Sequence, residues 1–242
     1  MDSPVGASGA PAVPPEAAAA RRLRVWDLPT RVFHWVLAAS VIGSVVTAKV
    51  GGNAMVWHFR LGELALALLA FRLLWGVCGG HWSRFGAFVY GPGALLRYLR
   101  GAPRPEDRFD IGHSPLGSLS VWALLVLLLV QVGTGLVADD EIANVGPLNR
   151  FVSGATASAA TGYHKEVGEW LLIALVALHV AAVLFYLLVR RRNLVAPMLH
   201  GDKPHPGPEV PASRDTAATR LLALALFVLC AAAVRWLVSL GG

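Results

Sequence analysis

Charge and cysteine are both scarce in this chain. Only 15% of its 242 residues are charged, 55% are hydrophobic, and the mean hydropathy is +0.57. A water-soluble surface needs more charge than this, which excludes an ordinary soluble globular domain. There are two cysteines, Cys78 near the inner end of the second span and Cys230 within the fifth, and no Cys-x-x-Cys-His motif, so neither a structural disulfide nor covalent c-type haem attachment is supported. The first twenty residues, MDSPVGASGAPAVPPEAAAA, lack a basic start and an apolar centre, and so do not read as a secretory signal. Polar and apolar residues do not alternate in runs such as LLIALVAL and ALLVLLLV, which excludes a membrane β-barrel.

What is present is a set of five apolar stretches, at residues 29–49, 55–77, 115–137, 165–189 and 218–239. Each is near the ~20 residues that cross a hydrocarbon core. Backbone groups in lipid must satisfy one another, so these are helices, and the fold class is an all-α integral membrane protein. Residues 1–24 read as a disordered cytoplasmic tail, 25–199 as a four-helix domain, 200–217 as a Pro-rich linker and 218–242 as an additional transmembrane helix. Fifteen Lys and Arg residues fall in the segments on one side and four, Lys49, Arg60, Arg150 and Lys165, on the other. The positive-inside bias then places the N-terminus in the cytoplasm and the C-terminus outside, as a multi-pass protein of a bacterial cytoplasmic membrane. The pI of about 9.9 is explained by that topology and by lipid headgroups, with no nucleic-acid partner implied.

Eight histidines separate by depth. His81, His113, His200 and His205 fall in loops or at helix ends, where solvated rings are expected. His34, His58, His164 and His179 lie inside the spans, where an ionisable group is costly enough to imply a function. His164 and His179, in YHKEVGEWLLIALVALHV, are fifteen residues apart. That is ~22 Å along a helix and only ~60° around it, so the two rings face one side and cannot share a metal. Helices one and two run in opposite directions, which sets His34 toward the inner face with His179, and His58 toward the outer face with His164. Two neutral imidazoles at each of two depths suit haem iron with both axial positions filled. Zinc suits them less, because a closed tetrahedral site takes four ligands.

Other polar groups enter the same helices. Arg72, fourteen residues beyond His58, either pairs with a propionate of the inner haem or extends to the interface. Gln131 is a candidate haem or quinone contact, or an interhelical hydrogen bond. Asp139, Asp140 and Glu141 in the outer loop are candidates for docking a basic partner. Trp35, Trp57, Trp82 and Trp170 are expected to form interfacial belts.

The stretches VWDLPTRVFHW, VWHFRLGELALALLAFRLLWG, HSPLGSLSVWALLVLLLVQVGTGL and YHKEVGEWLLIALVALHVAAVLFY resemble the bacterial cytochrome b561 family, which includes the b-type cytochrome subunits of nickel-iron hydrogenases. The resemblance covers residues 24–201; the fifth helix, ALALFVLCAAAVRWLVSL, is appended to the family's four-helix pattern. It implies two b haems with bis-histidine ligation, His34 and His179 at the inner one and His58 and His164 at the outer, in a four-helix di-haem domain. The expected function is single-electron transfer across the bilayer between a redox partner and the quinone pool. That partner is expected to be a c-type cytochrome or a dehydrogenase or hydrogenase subunit. The rival expectations are a free-standing superoxide:quinone oxidoreductase and a haem-free membrane scaffold or transporter.

Overall fold

A computed structural model describes residues 21–205 and 209–241. The tail expected over 1–20 and residues 206–208 of the expected linker lie outside the described residues. Five helices are long and apolar enough to cross a membrane. They are α1 (Leu28–Val50), α2 (Met55–Cys78), α4 (Pro115–Val137), the composite of α5 (Gly154–Gly162), a π-helical turn (Tyr163–Gly168) and α6 (Glu169–Leu188), and α8 (Ala217–Ser239). Two short helices, α3 (Pro92–Leu99) and α7 (Val195–His200), lie at the arginine-rich end. Proline near the first turn starts α1, α3 and α4, where its missing N–H costs nothing, and Asp27 and Ser114 cap α1 and α4 through their side chains.

The central helix is α2. Its Ala65, Leu68, Leu69, Phe71 and Trp75 are buried in one core with Phe33 and Leu37 of α1, Leu125 and Leu128 of α4, Leu172 of α6, and Ala223 and Cys230 of α8. The closest helix neighbours are α1 with α2, α2 with α8, α4 with α6 and α2 with α4. Large apolar residues such as Ile42, Leu178 and Trp236 are exposed, as lipid-facing side chains of a membrane bundle are. The appended helix is therefore packed on the back of α2, and an Arg235–Glu63 ion pair of 2.8 Å joins them.

The arginine-rich end has its own small core, which corrects the reading of two segments. Residues 21–24, assigned above to a disordered tail, form strand β1 (Arg21–Arg24), paired antiparallel with β2 (Asp202–His205) from the segment read as a linker. Leu23, Val25, Trp26, Trp82 and Ile111 are buried together there, with Met198 and Val210 packed against them. Ser213 hydrogen-bonds to Val25 O at 2.7 Å and receives Trp82 N at 3.1 Å. Trp82 is thus core rather than belt, its Nε1 donating to Pro211 O at 2.8 Å, whereas Trp35, Trp57 and Trp170 are exposed. Proline-rich composition reported a lack of helix in residues 200–217 and said nothing of tertiary pairing, which is why they read as a spacer.

Asp215 locks this end to α8, accepting ion pairs from Arg24 at 2.6 Å and Arg220 at 2.8 Å, with Arg31 at 3.8 Å. Its carboxyl is largely buried, which opposes ionisation, but the hydrogen bonds from Arg220, Leu28 N and Arg24 prevail and hold it below the usual carboxylate range. Replacing Asp215 with Asn is expected to leave Arg24 and Arg220 underpaired and to raise the rate of limited proteolysis between Glu209 and Thr216 several-fold. An unchanged cleavage rate would show that the core holds the segment without the ion pairs.

Candidate functional site

The four intramembrane histidines meet in two pairs. His34 on α1 and His179 on α6 have ring centres 6.4 Å apart, and His58 on α2 and His164 in the π-helical turn have ring centres 6.1 Å apart. All four are half-buried. Neither α1 with α6 nor α2 with α6 is among the closely packed helix pairs. The rings therefore approach one another across a separation that their backbones keep open. Two imidazoles on opposite sides of one metal, each with a metal–nitrogen bond of about 2.0 Å, place their ring centres about 6.3 Å apart. Both pairs are spaced to hold a metal between them, and among the described residues no group of three or more His, Cys, Asp or Glu could hold an ion.

The depth of His179 follows from the length of its helix. Counted from the basic cluster at Arg190, it sits deeper than His34 does from Arg31. Yet Gly154–Leu188 spans 35 residues, ~52 Å at 1.5 Å per residue, well beyond a ~30 Å core. A helix this long exceeds the hydrocarbon thickness, so distance from its end is not a measure of depth in the membrane. The π-helical turn, which sequence spacing did not reveal, takes up one extra residue. It changes the angle between His164 and His179 from about 60° one way to about 40° the other, and both rings stay on one side of the helix.

The pair on the side away from the arginines is held by backbone. His58 Nδ1 is 2.9 Å from Ser44 O and His164 Nδ1 is 2.8 Å from Gln131 O. A carbonyl only accepts, so both Nδ1 atoms carry the hydrogen and both Nε2 lone pairs are free to bind a metal. Gln131 also donates from Nε2 to His164 O at 2.9 Å, making it the interhelical clamp of the π-helical turn. Gly168 closes that clamp: a Cβ there would lie 2.0 Å from Gln131 Oε1 and 2.7 Å from the Tyr163 ring. Gly168→Ala is expected to expel Gln131 and lower the melting temperature of the solubilised protein by several degrees, at a cost of roughly 1–3 kcal/mol. Lys49 and Glu169, paired at 2.5 Å, join α1 to the start of α6 at the same level.

At the other pair the surroundings are charged and aromatic. Arg72 is 3% exposed, its guanidinium 4.7 Å from the Phe85 ring centre and 5.9 Å from that of Phe88, and its Nη1 has no partner. It does not snorkel to the interface. His113, expected to be a solvated loop residue, is instead packed in tilted contact with Phe88 and Trp26, with ring centres 4.5 and 4.7 Å away. Its Nδ1 is buried without a partner. Burial, and then the charges of Arg72, His179, His34 and Lys203, push this imidazole down to about 3, so it is neutral at physiological pH. Sequence position alone gave no signal for His113, because it precedes the cap of α4 and only the fold brings Trp26 and Phe88 over it.

Asp27 is the second residue missed. Fully buried, it caps α1 by accepting Thr30 N at 2.8 Å, and it also accepts Trp75 Nε1 at 3.2 Å, Gly80 N at 3.0 Å and Ser83 Oγ at 2.8 Å. An Asp before Leu-Pro is a legible cap signal, but the three bonds to the end of α2 and the turn after it are tertiary. In the loop after α4, Asp139 accepts Glu141 N and Asp140 accepts the backbone N–H groups of Ile142, Ala143 and Asn144 together with Asn144 Nδ2. The Asn144 side chain and those amides hold the Asp140 carboxyl well below its ordinary range. Two of the three acids thus build the loop, and Glu141 is exposed at a positive φ of 57°.

Comparison with known proteins identifies the family. Residues 25–201 match the family model described as prokaryotic cytochrome b561. The chain is 22% identical to a probable Ni/Fe-hydrogenase B-type cytochrome subunit of Bradyrhizobium diazoefficiens, covering 74% of this chain and 85% of that one. It is 23% identical to the protein of the same name from Cupriavidus necator (73% and 85%) and 26% identical to that from Azotobacter chroococcum (73% and 86%). No solved structure matches. Five apolar helices, paired intramembrane histidines and a family match over most of the length converge: the chain belongs to the prokaryotic cytochrome b561 family and is a multi-pass membrane b-type cytochrome of electron transfer.

Proposed function

We propose that the chain holds two b haems stacked across a bacterial cytoplasmic membrane and passes single electrons between a redox partner and the quinone pool. When bound, the haems supply one-electron redox chemistry. The observation that carries this reading is the spacing of the two imidazole pairs, 6.4 Å for His34 with His179 and 6.1 Å for His58 with His164, each close to the span of two ligands on one iron. In this reading the arginine-rich end is cytoplasmic. His34 and His179 are the inner ligands, and Arg72 and neutral His113 offer hydrogen-bond donors to the inner propionates. His58 and His164 are the outer ligands, their tautomers set by Ser44 O and Gln131 O. Gln131 is a contact of that outer site through its carbonyl and its clamp.

The relatives' names support a hydrogenase subunit as the redox partner. The loop of Asp139, Asp140 and Glu141 is the candidate surface for docking a basic partner. With two histidines held at each site, the chain's residues would bind and orient the haems and would offer no open site for a substrate at iron. A reduced-minus-oxidised spectrum with haem quantified per chain tests the proposal: two low-spin b haems, and no rapid carbon monoxide binding to the reduced native protein, are expected. One haem, or fast carbon monoxide binding, would overturn it. Gly135 supplies a further check, because a Cβ there would lie 2.8 Å from His164 Cε1. Gly135→Leu is expected to cost the outer haem and spare the inner one.

A further inference from the structure

The two histidine pairs differ in what surrounds them. The outer imidazoles both donate Nδ1–H to backbone carbonyls, those of Ser44 and Gln131. Neither inner ring makes such a bond among the described residues, and His34 Nδ1 is buried with no partner. A carbonyl drawing on the far N–H makes an imidazole more basic and a stronger donor to its metal, which favours the oxidised state. The inner side carries the opposite bias. Arg72 is buried in the same half of the bundle with its Nη1 lacking a hydrogen-bond partner, and it shares the Phe88 ring with His113. A buried cation in a medium of low dielectric favours an added electron nearby. Asp27 acts on Arg72 as a counter-charge while accepting four hydrogen bonds from neutral donors, and so offsets this bias in part.

We propose that these groups order the two sites in potential, so that an electron shared between them rests on the His34/His179 side. Ser44 and Gln131 act through their carbonyls and Arg72 through its charge, as positioning residues. The inference rests on the two-haem reading. In the transfer itself one electron leaves the outer metal and one arrives at the inner, with no proton or co-reactant required. Flow from the outer face toward the arginine-rich face is therefore downhill.

The test is optical redox titration of the purified full-length protein and of its single-site variants, His34→Ala leaving the outer haem and His58→Ala leaving the inner. The inner haem is expected to be favoured at least tenfold in electron partition, about 59 mV for a one-electron couple. Arg72→Gln is expected to weaken the inner haem's hold on the electron about tenfold, to leave the outer unchanged, and to be rescued by Arg72→Lys. Equal potentials, a reversed order, or an Arg72→Gln shift common to both haems would overturn the proposal. Loss of both haems or of neither in His34→Ala would instead sink the two-haem reading. If a single-site variant does not assemble, the unaltered protein decides the same question through two resolved waves, of which Arg72→Gln must move only the upper.

Discussion

Replacing His34 or His179 with Ala is expected to remove one b haem per chain, the same one in each case, and replacing His58 or His164 to remove the other. The reason is geometric. Each iron in the proposed arrangement takes one imidazole from each of two helices that are not packed on each other, α1 and α6 at one level, α2 and the π-helical turn at the other. Deleting either ring would leave one histidine where two would hold the cofactor, so loss within a pair should be equivalent and loss between pairs independent. The double variants separate the possibilities cleanly. His34→Ala with His179→Ala should match either single change, whereas His34→Ala with His164→Ala should leave no haem. Haem content by pyridine haemochrome and the reduced spectrum read this directly. A pattern in which His164 and His179 behave as one unit would break the assignment, since their ~22 Å separation along one helix forbids a shared metal.

Asp27→Ala is expected to destabilise the assembled bundle by on the order of 4 kcal/mol or more. Four donors converge on this carboxylate: the N–H groups of Thr30 and Gly80, the indole of Trp75 and the hydroxyl of Ser83. All lie in a buried region where no lost partner is readily replaced by water, and Ser83 also receives Thr30 Oγ1 at 2.8 Å. The carboxylate is thus the joint between the start of α1, the end of α2 and the turn that follows. Asp27→Asn keeps one acceptor oxygen and should lose about half as much. Thermal melting in detergent, followed with haem retention, measures both. Equal melting temperatures for Asp27→Ala and the unaltered protein would mean that helix packing alone sets the joint. Because this joint also fixes where α1 begins, Asp27→Ala should disturb the His34 level before the His58 level.

Much of this architecture was legible in order of residues alone, and the reasons are physical. Lipid imposes a ~20-residue apolar length on every span, so five helices follow from hydropathy without any contact being known. A helix imposes 1.5 Å per residue, so the depth of each histidine and its partner's level follow from counting. Even the mismatch at His179 came from the same counting, applied to a helix of 35 residues that is longer than one span needs. The family resemblance over residues 24–201 rested on those same segments, and the match over 25–201 coincides with it.

Other features depend on which distant segments touch, and composition is silent about that. Residues 21–24 and 202–205 have little apolar periodicity, yet they pair because the fold brings both beside Trp26 and Trp82. His113 precedes the Ser114 cap of α4 and looks like loop until Phe88 and Trp26 cover it. Asp27 reads as a cap, and its other three bonds come from residues 48 to 56 positions away. The tautomers of His58 and His164 hang on backbone carbonyls fourteen and thirty-three residues distant, which any side chain at Ser44 or Gln131 could present. By itself, then, the sequence determined the spans and which histidines pair at one level, because solvent and helix geometry act locally. Only the tertiary structure decided what orients each ring and what charge lies beside it, because hydrogen bonds and buried cations depend on packing between elements far apart in the chain.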